Sequence, residues 1–128
     1  MNSGRSETIV TGDNTAQAVG SGVLPVFSTP SLAALMEAAA CDALRGALEE
    51  GVTTVGTQIH VQHLSATPVG MRVWAEATLT EQSGREYAFD ITAFDEAGVI
   101  GRASHRRAAV KTARFMEKTQ AKRGNHDA

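Results

Sequence analysis

The pattern of hydrophobic and polar residues divides the chain into one long helix followed by a series of strands. Between Phe27 and Gly51 the apolar residues recur at helical spacing, and the segment is rich in Ala, Leu, Met and Glu, which favour helices. Thr29 suits the N-cap, Pro30 suits the first turn, and Gly51 suits the left-handed position after the last turn. The pattern predicts a helix over Phe27–Gly51 with one buried stripe, formed by Leu32, Leu35, Met36, Ala39, Ala43 and Ala47.

After this helix the period changes to the alternation that is typical of strands. It predicts four strands joined by hairpin-length turns, at Thr53–Leu64, Met71–Glu81, Glu86–Phe94 and Val99–Val110. A short strand and a short helix precede the long helix, at Glu7–Thr11 and Thr15–Val19, and an amphipathic helix ends the chain at Thr112–Lys122. We expect an α+β domain over residues 1–128, in which an antiparallel sheet wraps around the long helix and residues 1–6 and 123–128 are flexible.

Glu37 does not fit the predicted helix. It belongs neither to the buried stripe nor to the charged face, and its neighbours at helical spacing, which are Ala33, Ala40, Cys41 and Leu44, are uncharged. A carboxylate among small apolar residues is usually paired or has a raised pKa. Two interpretations remain open for the helix alone: a border residue that reaches water along its own stem, or a functional acid.

The first long strand adds a second polar residue to the same layer. Alternation places Val55, Thr57, Ile59, Val61 and His63 on one face and His60 on the other. A histidine at the end of a core-facing row is more often a satisfied core residue than a catalyst. With Glu37 directed into the same layer, however, His63 and Glu37 together have the pattern of an acid–base site. His60 and His63 point to opposite faces, so we do not expect them to share a metal ion.

Two further segments carry candidate chemistry. An apolar segment leads into the long helix, and we take Val23, Leu24 and Phe27 from it as candidate substrate contacts, in either a lid or a packing plug. In the last strand the alternation slips around Arg106 and Arg107, which would mark a bulge or an edge. His105 beside these two arginines indicates either an anion contact or a solvated strand end.

Composition excludes several classes of function. The chain has 128 residues, 42% of them hydrophobic, and a net charge of −2, which gives it no electrostatic reason to bind nucleic acid or an anionic membrane. It has no apolar run long enough to span a membrane, and its first residues do not form a signal peptide. Cys41 is the single cysteine, which we expect to be a small buried hydrophobe in a cytoplasmic protein without a disulfide. Phosphate-loop, dinucleotide-binding and nucleophile-elbow motifs are absent, and we expect neither a cofactor nor a metal.

The chain resembles the hotdog-fold thioesterases similar to fluoroacetyl-coenzyme A thioesterase in the order of its short motifs. The resemblance runs from about Ile9 to Lys118 and is carried by short motifs at matching separations: Thr29-Pro30, Met36-Glu37, Val55-Gly56-Thr57, Val61-Gln62-His63, Ala66-Thr67-Pro68-Val69-Gly70, and Gly101 followed by His105-Arg106-Arg107. It implies a hotdog fold and a catalytic set of Thr29, Glu37 and His63. It also implies that Gly56 lines the acyl site and that Arg107 contributes to coenzyme A binding.

The expected function is hydrolysis of a small or medium acyl-CoA, with Glu37 as base or nucleophile and with Thr29 and His63 assisting. The alternative is a non-catalytic acyl-CoA-binding or scaffold protein with the same fold. The helix carries Ala on more than one face, so we expect a second subunit to cover it in a homodimer or higher homo-oligomer. The fluoroacetyl-specific enzyme has an aromatic-rich lid before the helix. Here the segment 19–24 contains no aromatic residue, so we predict no strong preference for a fluoroacetyl group.

Overall fold

A computed structural model describes residues 2–125, which form a five-stranded antiparallel sheet and three helices. The strands are β1 (Ser3–Ile9), β2 (Val52–His63), β3 (Arg72–Ser83), β4 (Glu86–Asp95) and β5 (Gly98–Lys111). The helices are α1 (Ala16–Val19), α2 (Thr29–Ala43) and α3 (Thr112–Asn125). No helix in the described part of the chain is both long and apolar enough to cross a membrane.

The sheet has the order β1-β3-β4-β5-β2, which makes β1 and β2 its edges. The three hairpin-linked strands β3, β4 and β5 lie at its centre, as their alternation and short turns predict. The α2 helix lies on one face and packs mainly against β1 and β3. It buries its apolar side, which comprises Leu32, Leu35, Met36, Ala39, Ala40 and Ala43. The predicted α+β architecture is therefore confirmed.

The long helix is shorter than predicted at its C-terminal end and has a different cap at its start. Ser28 is the N-cap, because its side-chain oxygen accepts a hydrogen bond from the N–H of Ser31 at 3.1 Å. The hydroxyl of Thr29 contacts His63 of β2 instead. The helix ends at Ala43, and Gly51 lies after a further turn, where its φ of 81° requires a glycine. Ala47 therefore lies beyond the helix and is exposed.

Residues 3–6 form part of a strand, contrary to the prediction that residues 1–6 are flexible. Ser3–Ile9 pairs with β3 in a regular antiparallel register. At Gly4 the backbone of α2 comes so close that a Cβ atom would overlap the backbone of Ala39 and Ala43. The N–H of Arg5 also donates to the carboxylate of Asp42 at 2.9 Å. At the other end α3 extends to Asn125, whereas Met1 and residues 126–128 lie outside the described residues.

A β-bulge in β2 changes which residues face the helix. Gly56 pairs with Arg107 and Gln58 with Arg106, so Thr57 is an extra residue without an opposite partner. Ile59, Val61 and His63 keep the predicted helix-facing side, but before the bulge the parity is inverted, and Gly56 rather than Val55 or Thr57 faces α2. The predicted slip at the two arginines of β5 is thus located in the neighbouring strand.

The single cysteine does not have the predicted environment. Cys41 lies on the side of α2 that faces away from the sheet and is exposed. It continues a stripe of small residues at helical spacing that includes Ala34 and Ala38, both exposed, and the half-exposed Glu37. This stripe is the uncovered side of the Ala-rich helix.

Candidate active site

Glu37 lies opposite the bulge of β2, in a cluster of polar side chains from two strands. Its Oε2 lies 3.4 Å from Nη1 of Arg107 and 3.9 Å from Nε2 of His105. A Cβ atom on Gly56 would come within 2.5 Å of the same oxygen, so the glycine leaves the space that the carboxylate occupies. The Glu37 side chain keeps 41% of its surface exposed, while the side chains of Arg107 and His105 are buried. The carboxylate is thus anchored on one side and open on the other.

Each of the three guanidinium nitrogens of Arg107 has a hydrogen-bond partner. Its Nε donates to the hydroxyl of Thr54 at 2.9 Å, and its Nη2 donates to the carbonyl oxygen of the same residue at 3.0 Å. Its Nη1 faces both Glu37 and His105. A guanidinium is always charged, and burying one without a counterion is costly. Glu37 supplies that counterion, and the pair fixes the position of the carboxylate.

The tautomer of His105 follows from its two contacts. Nδ1 lies 2.8 Å from the carbonyl oxygen of Gln58, which can only accept, so Nδ1 carries the proton. Nε2 lies 3.2 Å from Nη1 of Arg107, which can only donate, so Nε2 is the acceptor. His105 is therefore neutral. Burial is the largest cause that lowers the pKa of His105, and the charge of Arg107 acts in the same direction.

Thr29 and His63 form a second polar pair at the start of α2. The hydroxyl of Thr29 lies 2.8 Å from Nδ1 of His63. Nε2 of His63 is buried and has no hydrogen-bond partner in the described residues. Burial also lowers the pKa of this histidine below its ordinary value of 6.5. The imidazole is therefore neutral at neutral pH, and one of its ring nitrogens has no hydrogen-bond partner in the described residues.

The three residues of the predicted catalytic set do not meet within one chain. Thr29 and Glu37 are eight residues apart on one helix, which corresponds to about 12 Å along its axis. Thr29 contacts His63 near the end of β2, whereas Glu37 contacts the cluster opposite Gly56 near its beginning. One chain thus presents a Thr29–His63 pair and a Glu37–Arg107 pair at two ends of the same strand.

The predicted substrate contacts of the lead-in segment differ in exposure. Phe27 is 1% exposed and lines a cavity of about 250 Å³ together with Thr29 and His63. Val23 and Leu24 lie on the preceding loop and are 82% and 61% exposed, outside the lining of that cavity. The cavity lies directly in front of the Thr29–His63 pair.

Sequence reasoning missed the roles of His105 and Thr54. The interpretation of His105 as part of a solvated strand end is wrong, because the ring is buried in the middle of β5. One signal was present: His105 and Arg107 alternate with the exposed Arg106 and so share a face. Nothing in the sequence indicated which face was the inner one.

Comparisons with known proteins place this arrangement in a family. The sequence profile of the fluoroacetyl-CoA-specific thioesterase family matches residues 10–113. The fluoroacetyl-CoA thioesterase of Streptantibioticus cattleyicolor is 36% identical over 97 residues, which cover 76% of this chain and 70% of that protein.

Two solved structures have the same fold. A thioesterase-superfamily protein of Thermus thermophilus has a TM-score of 0.91 at 25% identity, with 98% of this chain and 93% of that chain covered. A variant of a fluoroacetyl-CoA thioesterase in complex with acetyl-CoA has a TM-score of 0.88 at 28% identity, with 94% and 95% covered. The predicted hotdog fold is confirmed by these similarities.

Proposed function

The chain belongs to the fluoroacetyl-CoA-specific thioesterase family, which makes it an acyl-CoA thioester hydrolase, and we propose that Glu37, Thr29 and His63 carry out the reaction. The observation that carries this proposal is the half-exposed carboxylate of Glu37, anchored by the buried Arg107 in front of a glycine. The family assignment disfavours the alternative of a non-catalytic acyl-CoA-binding or scaffold protein.

The ion pair with Arg107 suits Glu37 to attack or to activate water. Thioester hydrolysis needs a base or nucleophile, a site that stabilises the oxyanion and a proton for the leaving thiolate. Arg107 holds one oxygen of Glu37, which leaves the other for a water molecule or for direct attack on the acyl carbon. Gly56 leaves the space that this carboxylate occupies, and in this proposal a small or medium acyl group binds beside it.

The Thr29–His63 pair supplies the remaining functions. The positive end of the α2 dipole lies at Thr29, where it favours the developing negative charge of a tetrahedral intermediate. Nε2 of His63 has no protein partner in residues 2–125, so it is available to the intermediate or to the leaving thiolate. In this proposal the hydroxyl of Thr29 orients the imidazole through Nδ1.

We infer that two copies of the chain bring the two pairs together. Along residues 2–125, β2 pairs only with β5, so its other edge is open to a second strand. If β2 pairs antiparallel with its copy around Ile59 and His60, Gly56 of one subunit lies beside His63 of the other. Glu37 then faces the partner's Thr29–His63 pair. The exposed stripe of Ala34, Ala38 and Cys41 beside Glu37 gives the second subunit a small-residue surface to cover.

The substrate in this proposal is acyl-CoA, in the cytoplasm. The structure of a related thioesterase with acetyl-CoA supports a CoA thioester, and the exposed free Cys41 fits a reducing compartment.

Measuring thiol release from a panel of acyl-CoAs tests the proposed function. The wild type is expected to hydrolyse at least one short or medium acyl-CoA. Glu37→Gln keeps the size of the side chain but removes its basicity, and removing a general base typically costs about 10²- to 10⁴-fold in rate. Near-normal turnover by a folded Glu37→Gln variant would remove Glu37 from the mechanism.

A further inference from the structure

A basic groove lies between α3 and the ends of β2 and β5, and the proposed reaction does not use it. The groove has a volume of about 540 Å³. Four of its lining residues are cationic, namely Arg85, Lys111, Arg114 and Lys118, and its only carboxylate is that of Glu49. The chain as a whole carries a net charge of −2, so this concentration of positive charge is local.

These two arginines and two lysines have no acidic partner in the described residues, whereas most of the other arginines do. Arg5, Arg45, Arg72, Arg106 and Arg107 all form ion pairs. Within residues 2–125, no ion pair or side-chain hydrogen bond includes a charged group of Arg85, Lys111, Arg114 or Lys118. Unpaired cations around one concave surface attract a polyanion, because the low-dielectric walls focus their field.

The groove also offers a surface for a planar apolar group. Phe115 is 38% exposed, and it lines the groove beside Val52 and Ala109. On α3, Phe115 follows Arg114 directly and precedes Lys118 by one turn. An aromatic ring between cations is a common arrangement for binding a nucleobase next to its phosphates.

The groove lies on the same face of the sheet as Glu37. Gly56 pairs with Arg107, Thr54 with Ala109 and Val52 with Lys111, and steps of two residues keep to one face of a strand. Lys111 lies four residues beyond Arg107, which corresponds to about 13 Å along β5. The pantetheine arm of coenzyme A separates the thioester from the diphosphate by a comparable or greater length, so one molecule can reach both places.

We propose that this groove, formed by Arg85, Lys111, Arg114, Phe115 and Lys118, binds the phosphorylated adenosine end of the acyl-CoA substrate while the thioester lies at Glu37. This inference rests on the proposed function and adds the position of the nucleotide. In this proposal the buried Arg107 holds Glu37, and the exposed cations of the groove bind the phosphates.

The test compares acetyl-CoA with acetyl-pantetheine, which carries the same thioester without the nucleotide. Arg114→Ala and Lys118→Ala are combined, because alanine keeps the helix and the change removes two cations. The control combines Arg102→Ala with Arg123→Ala. Arg123 lies about 180° around α3 from Arg114, and Arg102 lies near the other end of β5. Both variants change the net charge equally.

We expect Arg114→Ala/Lys118→Ala to raise KM for acetyl-CoA by about tenfold or more with little change in kcat, since it removes charge-assisted contacts made equally before and during the reaction. Neither KM nor kcat for acetyl-pantetheine should change, and the control should behave as the wild type. An unchanged KM for acetyl-CoA, or an equal rise for acetyl-pantetheine, would overturn the proposal. The proposal would also be overturned if Arg114→Ala/Lys118→Ala impaired hydrolysis only when the acetyl group is carried on an acidic carrier protein.

Binding of adenosine 3′,5′-bisphosphate, measured by calorimetry, gives a readout that does not depend on hydrolysis. The wild type and the control should bind it, and Arg114→Ala/Lys118→Ala should bind it about tenfold more weakly or worse, with affinity falling as salt rises. If neither thioester is hydrolysed but the bisphosphate binds in this pattern, the proposed function is wrong and the assignment of the groove as a nucleotide-binding site is retained. If both thioesters are hydrolysed and the bisphosphate does not bind, the groove assignment alone fails.

Discussion

At the scale of single residues, the candidate site depends on how two histidines are held. His105 is buried and neutral, and it accepts a hydrogen bond from the arginine that anchors Glu37. His63 is also neutral but keeps Nε2 without a protein partner in residues 2–125. The first is suited to positioning, since all its polar atoms are occupied within the protein, and the second to contacting substrate.

Replacing His63 should affect turnover far more than replacing His60. The two side chains point to opposite faces of β2, and His60 is exposed on the outer one. We expect His63→Ala to lower kcat by at least about 10²-fold, as for loss of an acid–base group, and His60→Ala to leave it within about twofold. Steady-state kinetics on one acyl-CoA measures both. Equal losses in the two variants would mean that the proposed role of His63 is wrong.

The buried histidines should make folding stability sensitive to pH below 6.5. Burial lowers the pKa of His105 in the folded state, so as the pH falls below 6.5 the unfolded chain takes up the proton first, and stability decreases. Above 6.5 both states are neutral and the contribution is complete. We expect His105→Asn to reduce the slope of unfolding free energy between pH 6.5 and 5 by up to about 1.4 kcal/mol per pH unit. Denaturant titrations at several pH values measure this, and an unchanged slope would contradict the assignment.

At the scale of the elements, the start of α2 has a structural residue and a functional residue next to each other. Ser28 is 1% exposed and caps the helix, whereas the neighbouring Thr29 directs its hydroxyl to His63. Two adjacent hydroxyl side chains thus have different roles, and matched substitutions distinguish them.

We expect Ser28→Ala to destabilise the fold by about 1 kcal/mol, the usual cost of losing an N-cap. Thr29→Ala should change stability much less but should lower kcat, because His63 loses the partner of Nδ1. Denaturant unfolding and steady-state kinetics on both variants measure the two effects. A large stability loss in Thr29→Ala with normal turnover would reverse these assignments.

The elements also show which features the sequence could predict. The stripe from Leu32 to Ala43 and the alternation of the central strands are strong periodic signals, so α2 and three strands follow from them. Ser3–Ser6 carry no apolar alternation, and their order comes from pairing with β3, which is a tertiary contact. The bulge at Thr57 adds one residue without changing composition, so period-two reasoning assigned Val55 to the wrong face.

The candidate site was predictable only in part for the same reason. Glu37 was identifiable because it interrupts an apolar pattern on a helix, and His63 because it ends a helix-facing row. The Arg107–His105 contact to Glu37 joins residues about 70 positions apart, and its geometry depends on the bulge opposite.

At the scale of the whole molecule, the lead-in segment bears on substrate choice. Val23 and Leu24 are exposed, and the loop contains no aromatic residue before Phe27, which is buried. A pocket that senses only shape distinguishes small differences by about 1–3 kcal/mol, or roughly 10- to 200-fold. We therefore expect kcat/KM for fluoroacetyl-CoA to stay within about a hundredfold of that for acetyl-CoA. A preference of about a thousandfold or more would exceed that range and show a dedicated fluorine-sensing device.

The proposed dimer makes a specific prediction about mixtures of inactive variants. Glu37→Gln and His63→Ala should each form dimers without a complete site. In a heterodimer of the two, one site receives Glu37 from one subunit and the Thr29–His63 pair from the other, so it is complete. With random exchange half of the dimers are mixed and each has one working site, so about a quarter of wild-type activity should return.

The measurement that tests the account most directly is therefore acyl-CoA hydrolysis by this mixture, with light scattering to establish dimers and native mass spectrometry to establish subunit exchange. Recovery of about a quarter of wild-type activity, absent from either variant alone, is the predicted result. No recovery in a sample that contains the heterodimer would contradict a site built from Glu37 of one subunit and His63 of the other.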